Sequence, residues 1–339
     1  MDNSRTLNAG IVGLGRWGQK LVKSINQILN KSNSLKFTHA FSRTFEKVKP
    51  FCSEFNLNHC NSFDELLSND NIDLIVLATP HSIHAEQIIK TAESRKHVFV
   101  EKPFTLTLDE AIKSIKTCKK FNVKVGVGFN RRFLPSFQLM KKISLNNNFG
   151  KKIHIEGNYS GPFGYDYSKN MWRGSLEENP VGGMAAMGIH VIDAMIALLG
   201  PIKAVQCISK QHVFKHLDID DTSSIQLWFS LGATGYLSTL MATAPLWRLQ
   251  IYGTKAWVTM NGQNETVSNF LNETPKTKIF KNVNIERLEL ECFAGTINGK
   301  NEFPVSISEI LNGVSTFESI SKSNNKGGQK VFVEDFEKF

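Results

Sequence analysis

Ala9-Gly10-Ile11-Val12-Gly13-Leu14-Gly15-Arg16-Trp17-Gly18 decides how this chain is read. An apolar run ends in three spaced glycines, and an amphipathic segment follows at once. Each glycine has a mechanical task in a strand–turn–helix that holds a dinucleotide. Gly13 permits the tight turn, Gly15 lets a pyrophosphate approach the backbone, and Gly18 lets helix and strand pack closely. Free N–H groups and the helix dipole then favour the anion. The spacing alone would also suit a plain structural turn. The strand before it and the helix after it give the stretch its meaning.

The surroundings repeat the pattern. Strand candidates lie at Asn8–Gly13, Leu35–Phe41, Asp73–Ala78, His97–Val100 and Lys124–Phe129. Segments of helical length separate them. Arg16–Asn30 is the first, with Trp17, Leu21, Ile25 and Leu29 at near-helical spacing. Ser62-Phe63-Asp64-Glu65 and Thr107-Leu108-Asp109-Glu110 read as capping boxes. Strand–helix alternation with near-continuous apolar strands predicts an α/β fold, a doubly wound parallel sheet covered on both faces. This Rossmann domain is expected over residues 1–128.

The pattern changes over residues 129–339, where an α+β domain is expected. A helix over Gly188–Leu199 is stopped by Gly200-Pro201. Five β-rich runs follow, Ile202–Ser209, Thr222–Ser230, Gly235–Met241, Leu249–Gly253 and Trp257–Met260, joined by short turns as in an antiparallel or mixed sheet. Helical segments near Arg287–Ile297 and Ser306–Ser321 come last, and Ser323–Gly328 reads as a loop.

The bulk numbers fit this division. At 339 residues, two domains are the default. Apolar content of 41% and charged content of 21% describe an ordinary globular chain. No apolar stretch reaches the roughly 18 residues of a membrane span. The start, MDNSRTLNAGIVG, lacks the layout of a secretory signal. Five scattered cysteines without a CxxC argue for a reducing compartment and against structural zinc. A cytoplasmic protein with no metal is therefore expected. The net charge of +9 is spread along the chain with no recognition motif, so nucleic acid is not an expected partner.

Candidate site residues follow from where strands end. Glu101-Lys102-Pro103 closes the run His97–Val100, and charges at the mouth of a buried strand need a local reason. A lysine poised beside a bound nicotinamide supplies one. The second strand ends in Ser42-Arg43-Thr44, with no carboxylate to repel a 2′-phosphate and an arginine able to pair with one. This favours NADP over NAD. Thr79-Pro80-His81-Ser82-Ile83-His84 follows another strand, and its histidines either touch the cofactor or, for His84, only begin a helix. His190 and Asp193 share a helix face, where histidine serves as a general base or as a satisfied core residue.

These segments together resemble the Gfo/Idh/MocA oxidoreductase family. The matching pieces run in order: GLGRWG at 13–18, ATPHSIHAEQ at 78–87, KHVFVEKP at 96–103, GFNRRFLP at 128–135, Trp172-Arg173, GGMAAMGIHVID at 182–193 and NEFPVSISE at 301–309. The resemblance implies a Rossmann domain followed by a domain with a large open sheet, which makes the contact of a homodimer or homotetramer. It implies hydride transfer between NAD(P) and a sugar, polyol or related carbonyl compound. Lys102 and His190 become the catalytic pair, an electrostatic cation and a general acid or base. Gly13, Gly15, Arg16, Trp17, Gly18, Ser42, Arg43, Thr79, Pro80, His81, His84, Glu101, Lys102 and Arg131 become cofactor contacts. Trp172, Arg173, His190 and Asp193 become substrate contacts, and Arg131 or Arg132 also points into the cleft.

One departure stands out. The family often carries Asp four residues before this histidine, and here that residue is Ala186. Alanine can neither tune a histidine nor relay a proton. Asp193 could orient His190 instead, the substrate could bring its own polar group, or redox chemistry could be lost. The alternatives to a dehydrogenase are therefore a redox-silent dinucleotide sensor and a nicotinamide-dependent glycoside hydrolase.

Overall fold

A computed structural model describes residues 5–27 and 32–335. They fall into two compact units. One comprises Met1–Thr105, Asp109–Asn130 and Asn284–Ile307; the other comprises Leu106–Leu108, Arg131–Val283 and Ser308–Phe339.

The first unit alternates β1 (Leu7–Val12), α1 (Arg16–Asn26), β2 (Leu35–Phe41), α2 (Phe45–Glu54), β3 (Asn58–His59), α3 (Phe63–Ser68), β4 (Leu74–Leu77), α4 (His84–Glu93), β5 (His97–Glu101), α5 (Leu108–Lys120) and β6 (Val125–Gly128). The strands form one parallel sheet in the order β3-β2-β1-β4-β5-β6. Every residue of β4 is buried, as expected for a strand covered on both faces. The expected α1 is confirmed through Asn26, and residues 28–30 of its expected span lie outside the described residues. At α3, the Ser62 hydroxyl accepts from the Glu65 N–H at 2.9 Å. Glu65 reaches back to the Asn61 N–H at 2.7 Å, one residue further than a standard box.

The second unit is built on β7 (Lys152–Ser160), β8 (Ile202–Lys210), β9 (Thr222–Phe229), β10 (Thr234–Leu240), β11 (Leu246–Gly253), β12 (Ala256–Asn261), β13 (Glu265–Phe270) and β14 (Lys276–Ile279), with α6 (Pro135–Ser144) and α7 (Ile189–Leu199). The nine-stranded sheet runs β14-β13-β12-β11-β7-β10-β9-β8-β15, where β15 is Val331–Phe332. Only the β7–β10 pairing is parallel. α7 packs on β7 where Gly157 offers no Cβ; one added there would run into Val191. α7 is buried almost all round, so its hydrophobicity shows no polar face.

α8 (Ile285–Ile297) belongs to the first unit, so the single boundary at 128/129 does not hold for this stretch. Its Phe293 sits on Gly126 of β6, with ring centroids 5.6 Å from Phe99 and 5.4 Å from Phe303. Burying such a ring contributes about 1.5–3 kcal/mol. The last helix, α9 (Ile307–Asn325), continues through residues that read as loop. The Ser323 hydroxyl accepts from the Cys207 N–H and the Asn324 side chain from the Ser209 N–H, so tertiary bonds to β8 hold the helix end.

Candidate active site

In the first unit, the β1–α1 turn meets each requirement read from its glycines. Gly13 has φ +91°, and a Cβ there would lie 2.5 Å from the Ala78 carbonyl oxygen. A Cβ on Gly18 would run into the Gly13 carbonyl. Gly15 differs: nothing lies within 4 Å of the space a Cβ would fill. Gly15 is the N-cap of α1, no side chain caps it, and the first turn holds no acid. The open cradle and free N–H groups fit a dinucleotide pyrophosphate. Arg16 is exposed and Trp17 is partly buried in the same turn. At the end of β2, Ser42 is half-buried and Arg43 exposed.

The ends of β4 and β5 are laced together. Thr79 donates from its hydroxyl to Gln87 at 2.7 Å. Pro80 precedes a short turn that holds the buried His81, whose ring lies 5.9 Å from that of His84. His84 itself is fully buried. Its Nδ1 faces the Pro103 carbonyl at 2.8 Å and its Nε2 the Thr79 carbonyl at 3.1 Å. The expected cofactor contact by His84 is therefore corrected: both ring nitrogens are engaged by backbone, and the residue is a strut between two loops. The Lys102-Pro103 peptide is cis, and Lys102 is half-buried.

Glu101 is 6% exposed and lies against Gly128 of β6; a Cβ there would be 2.8 Å from Glu101 Oε1. Burial pushes its carboxyl up to about 7, against the opposing pull of Trp17 and Lys102. Glu286, on the first turn of α8, adds to the upward push. Glu286 is buried too, with Lys20 at 2.7 Å and the Asn130 amide donating at 3.0 Å. Glu101 is thus held from inside the unit by groups far apart in sequence. Glu286 escaped the sequence reading because nothing local marks a partner 185 positions beyond Glu101, and the Asn130 bond to it spans 156 positions.

In the second unit, the approach to His190 is unusual. Val181 has φ +61° and Gly182 φ +56°, two left-handed residues in succession. For a β-branched residue that conformation is strained, and strain of this kind clusters at functional sites. Met184–Gly188 then forms a single π turn before α7. Within it the Ile189 N–H reaches the Met184 carbonyl, five residues back. The four-residue spacing from Ala186 to His190 is therefore not one α-helical turn. Along 181–196, Ala186 is the one residue not buried. His190 is 6% exposed.

Asp193 is committed elsewhere. Arg132 grips both its oxygens, Nε to Oδ2 at 2.8 Å and Nη2 to Oδ1 at 2.7 Å, and also reaches Glu309 at 2.9 Å. Burial pushes the Asp193 pKa up and Arg132 pulls it back. The pair is ionic, since a buried guanidinium does not give up its proton. The expectation that Asp193 touches substrate or orients His190 gives way to an internal ion pair. Arg132 is likewise buried in that pair.

Arg131 goes to the second unit's own aromatic group: its Nη2 donates to the Tyr159 hydroxyl at 3.1 Å, with the guanidinium 5.7 Å from the ring centroid. This ties Arg131 to Tyr159 within the second unit. The Tyr159 ring lies 6.2 Å from that of His190. Tyr159 was not legible in the sequence, where it is one aromatic of an alternating strand. Trp172 and Arg173 form a short turn with the guanidinium stacked 4.1 Å over the indole. Among the described residues, no group of three or more His, Cys, Asp or Glu side chains could hold a metal.

The comparisons agree with this geometry. Residues 7–129 match the oxidoreductase family model with the NAD-binding Rossmann fold, and residues 137–259 match the GFO/IDH/MocA C-terminal domain. The chain belongs to the Gfo/Idh/MocA oxidoreductase family. It is 28% identical over 262 residues to the uncharacterized oxidoreductase YrbE of Bacillus subtilis, covering 74% of this chain and 73% of that one. It is 28% identical over 196 residues to 2,7-anhydro-N-acetylneuraminate hydratase of Escherichia coli, covering 58% of this chain and half of that one. Levoglucosan dehydrogenase in complex with NADH and L-sorbose superposes with a TM-score of 0.88 at 20% identity, covering 98% of this chain and all of that one. The α/β architecture and the Rossmann sheet of this Gfo/Idh/MocA member are thus those of its relatives. No helix among its described residues is long and apolar enough to cross a membrane.

Proposed function

We propose that this protein is a nicotinamide-dependent oxidoreductase acting on a hydroxyl or carbonyl group of a sugar, polyol or related small compound. The observation that carries this reading is Lys102, a half-buried amine at the carboxyl end of β5, in the same unit as the open, uncapped N-terminus of α1. When bound, the cofactor accepts or supplies a hydride. Lys102 is assigned the fixed cation that orients the substrate hydroxyl and stabilises its developing alkoxide. His190 is assigned the acid–base role, taking the hydroxyl proton in one direction and returning it in the other. Trp172 and Arg173 are assigned to the rest of the substrate. The relatives named for an anhydro-sugar acid and for levoglucosan support a sugar-like substrate.

NADP is the favoured cofactor, because the end of β2 offers Ser42, an exposed Arg43 and Thr44 without a carboxylate. Self-association is assigned to the second unit's open sheet face, which presents Trp228, Tyr236, Arg248 and Tyr252; sedimentation of the purified protein tests it.

The test is reduction or oxidation of NADP and NAD over a panel of sugars, inositols and keto acids. Turnover that falls by about 10² or more in Lys102→Ala supports the assignment; undiminished turnover in that variant sinks it. A second reading, chemistry with no net change of the cofactor, is favoured by Ala186 and by the relative named as a hydratase. Product formed without accumulation of reduced cofactor would establish it.

A further inference from the structure

Tyr159 is held more firmly than a half-exposed strand residue requires. Its ring meets Trp247 edge-on at 4.8 Å, directly across the β7–β11 ladder, and Phe163 edge-on at 6.2 Å. Its backbone carbonyl accepts from the Thr239 hydroxyl at 2.8 Å. The ring packs, with the accessible Ala186, against a cluster of Met187, Phe214 and Met241. On the remaining side stands His190. Side chains locked in this way have little freedom to lose when they bind a ligand.

The hydroxyl is prepared as well. A phenol oxygen can accept and donate at once. Here the Arg131 guanidinium donates to it, so the phenol proton is turned away from Arg131, and the charge-assisted bond makes the O–H a stronger donor. A polarised donor is thereby carried by a ring whose centroid lies 6.2 Å from that of His190.

We propose that Tyr159 is a substrate-binding residue whose hydroxyl donates to a substrate oxygen next to the reacting carbon, with Arg131 as the positioning residue that polarises it. The substrate class is then a vicinal diol or hydroxycarbonyl: one oxygen reacts and its neighbour is held by Tyr159. No proton or electron is transferred through Tyr159. The inference rests on the proposed oxidoreductase reading and deepens it.

The experiment uses the full chain and compares wild type, Tyr159→Phe, Arg131→Leu and the double variant. Tyr159→Phe keeps the ring and its packing and removes only the donor. For vicinal diols it is expected to raise KM about tenfold, with kcat within twofold and cofactor affinity unchanged by fluorescence titration. For the matching deoxy compounds, wild type and Tyr159→Phe should be equal. Arg131→Leu should raise KM less, and should add nothing in the Tyr159→Phe background. Equal KM for wild type and Tyr159→Phe on the diols overturns the proposal, as does the same loss on diol and deoxy compounds.

If wild type turns over none of the panel, the oxidoreductase reading fails separately, and calorimetry on the NADPH-loaded protein decides this one. A diol bound about tenfold more weakly by Tyr159→Phe than by wild type upholds the proposal. Equal binding, or binding of no diol by wild type, overturns it.

Discussion

Arg132 and Asp193 close a bidentate ion pair inside the second unit, with only 2% and 4% of their side chains exposed. The acid that shares a helix face with His190 is therefore spent on structure. Removing the Asp193 charge would leave the buried Arg132 guanidinium to the partly exposed Glu309. Asp193→Asn is expected to destabilise the protein by about 3–5 kcal/mol, measured as the shift in urea unfolding. Asp193→Leu combined with Arg132→Met should recover most of that loss, because an apolar pair carries no desolvation cost.

Glu101 gives the protein a pH dependence of defined sign. Its carboxyl is raised by burial to about 7, so the folded state holds a proton that the unfolded chain has released. The stability this contributes is fully present below the ordinary carboxyl range and is lost as pH rises through about 7. Thermal denaturation from pH 5 to pH 8 should show wild type losing stability relative to Glu101→Gln, with a ceiling on the order of 3 kcal/mol. Parallel curves for the two proteins would show that Glu101 is ionised throughout.

The glycines of the β1–α1 turn should separate folding from binding. Gly18→Ala places a methyl on the Gly13 carbonyl and is expected to lower the melting temperature. Gly15→Ala meets nothing in the protein and should melt like wild type. The same methyl would occupy the cradle, so NADPH affinity measured by fluorescence should fall by about tenfold or more.

Arg43 should set cofactor preference. It is exposed, so Arg43→Ala is expected to leave stability within about 0.5 kcal/mol of wild type. NADPH binding should weaken by about tenfold through loss of a charge-assisted phosphate contact, while NADH binding changes little. Equal loss for both cofactors would assign Arg43 to the adenine instead.

The parallel sheet was legible because β4 is apolar throughout and β1 and β5 nearly so, and β2 runs over the expected Leu35–Phe41; the two-residue β3, Asn58-His59, carries no such signal. Other elements carried contrary local signals. α2 contains Pro50, which reads as a break although the helix continues through it. β14 is exposed at every residue and so shows no alternation. Ser323 and Asn324 read as loop because their helical state depends on β8, more than a hundred residues away. The site followed the same rule. Gly13, Gly15, Gly18 and the Glu101-Lys102 strand end announce themselves by spacing. The π turn before His190, the Arg132–Asp193 pair and the Tyr159–Arg131 contact are tertiary, and no period in the sequence encodes them.

The return of α8 to the first unit sets an order of events during synthesis. Phe99 and Gly126 are made early, but the ring that covers them, Phe293, leaves the ribosome after most of the second unit. At about 5–20 residues per second, that face waits roughly ten to thirty seconds for its cover. The face of the first unit formed by Phe99 and Gly126 is therefore expected to stay uncovered over that interval, although its six strands are already in hand.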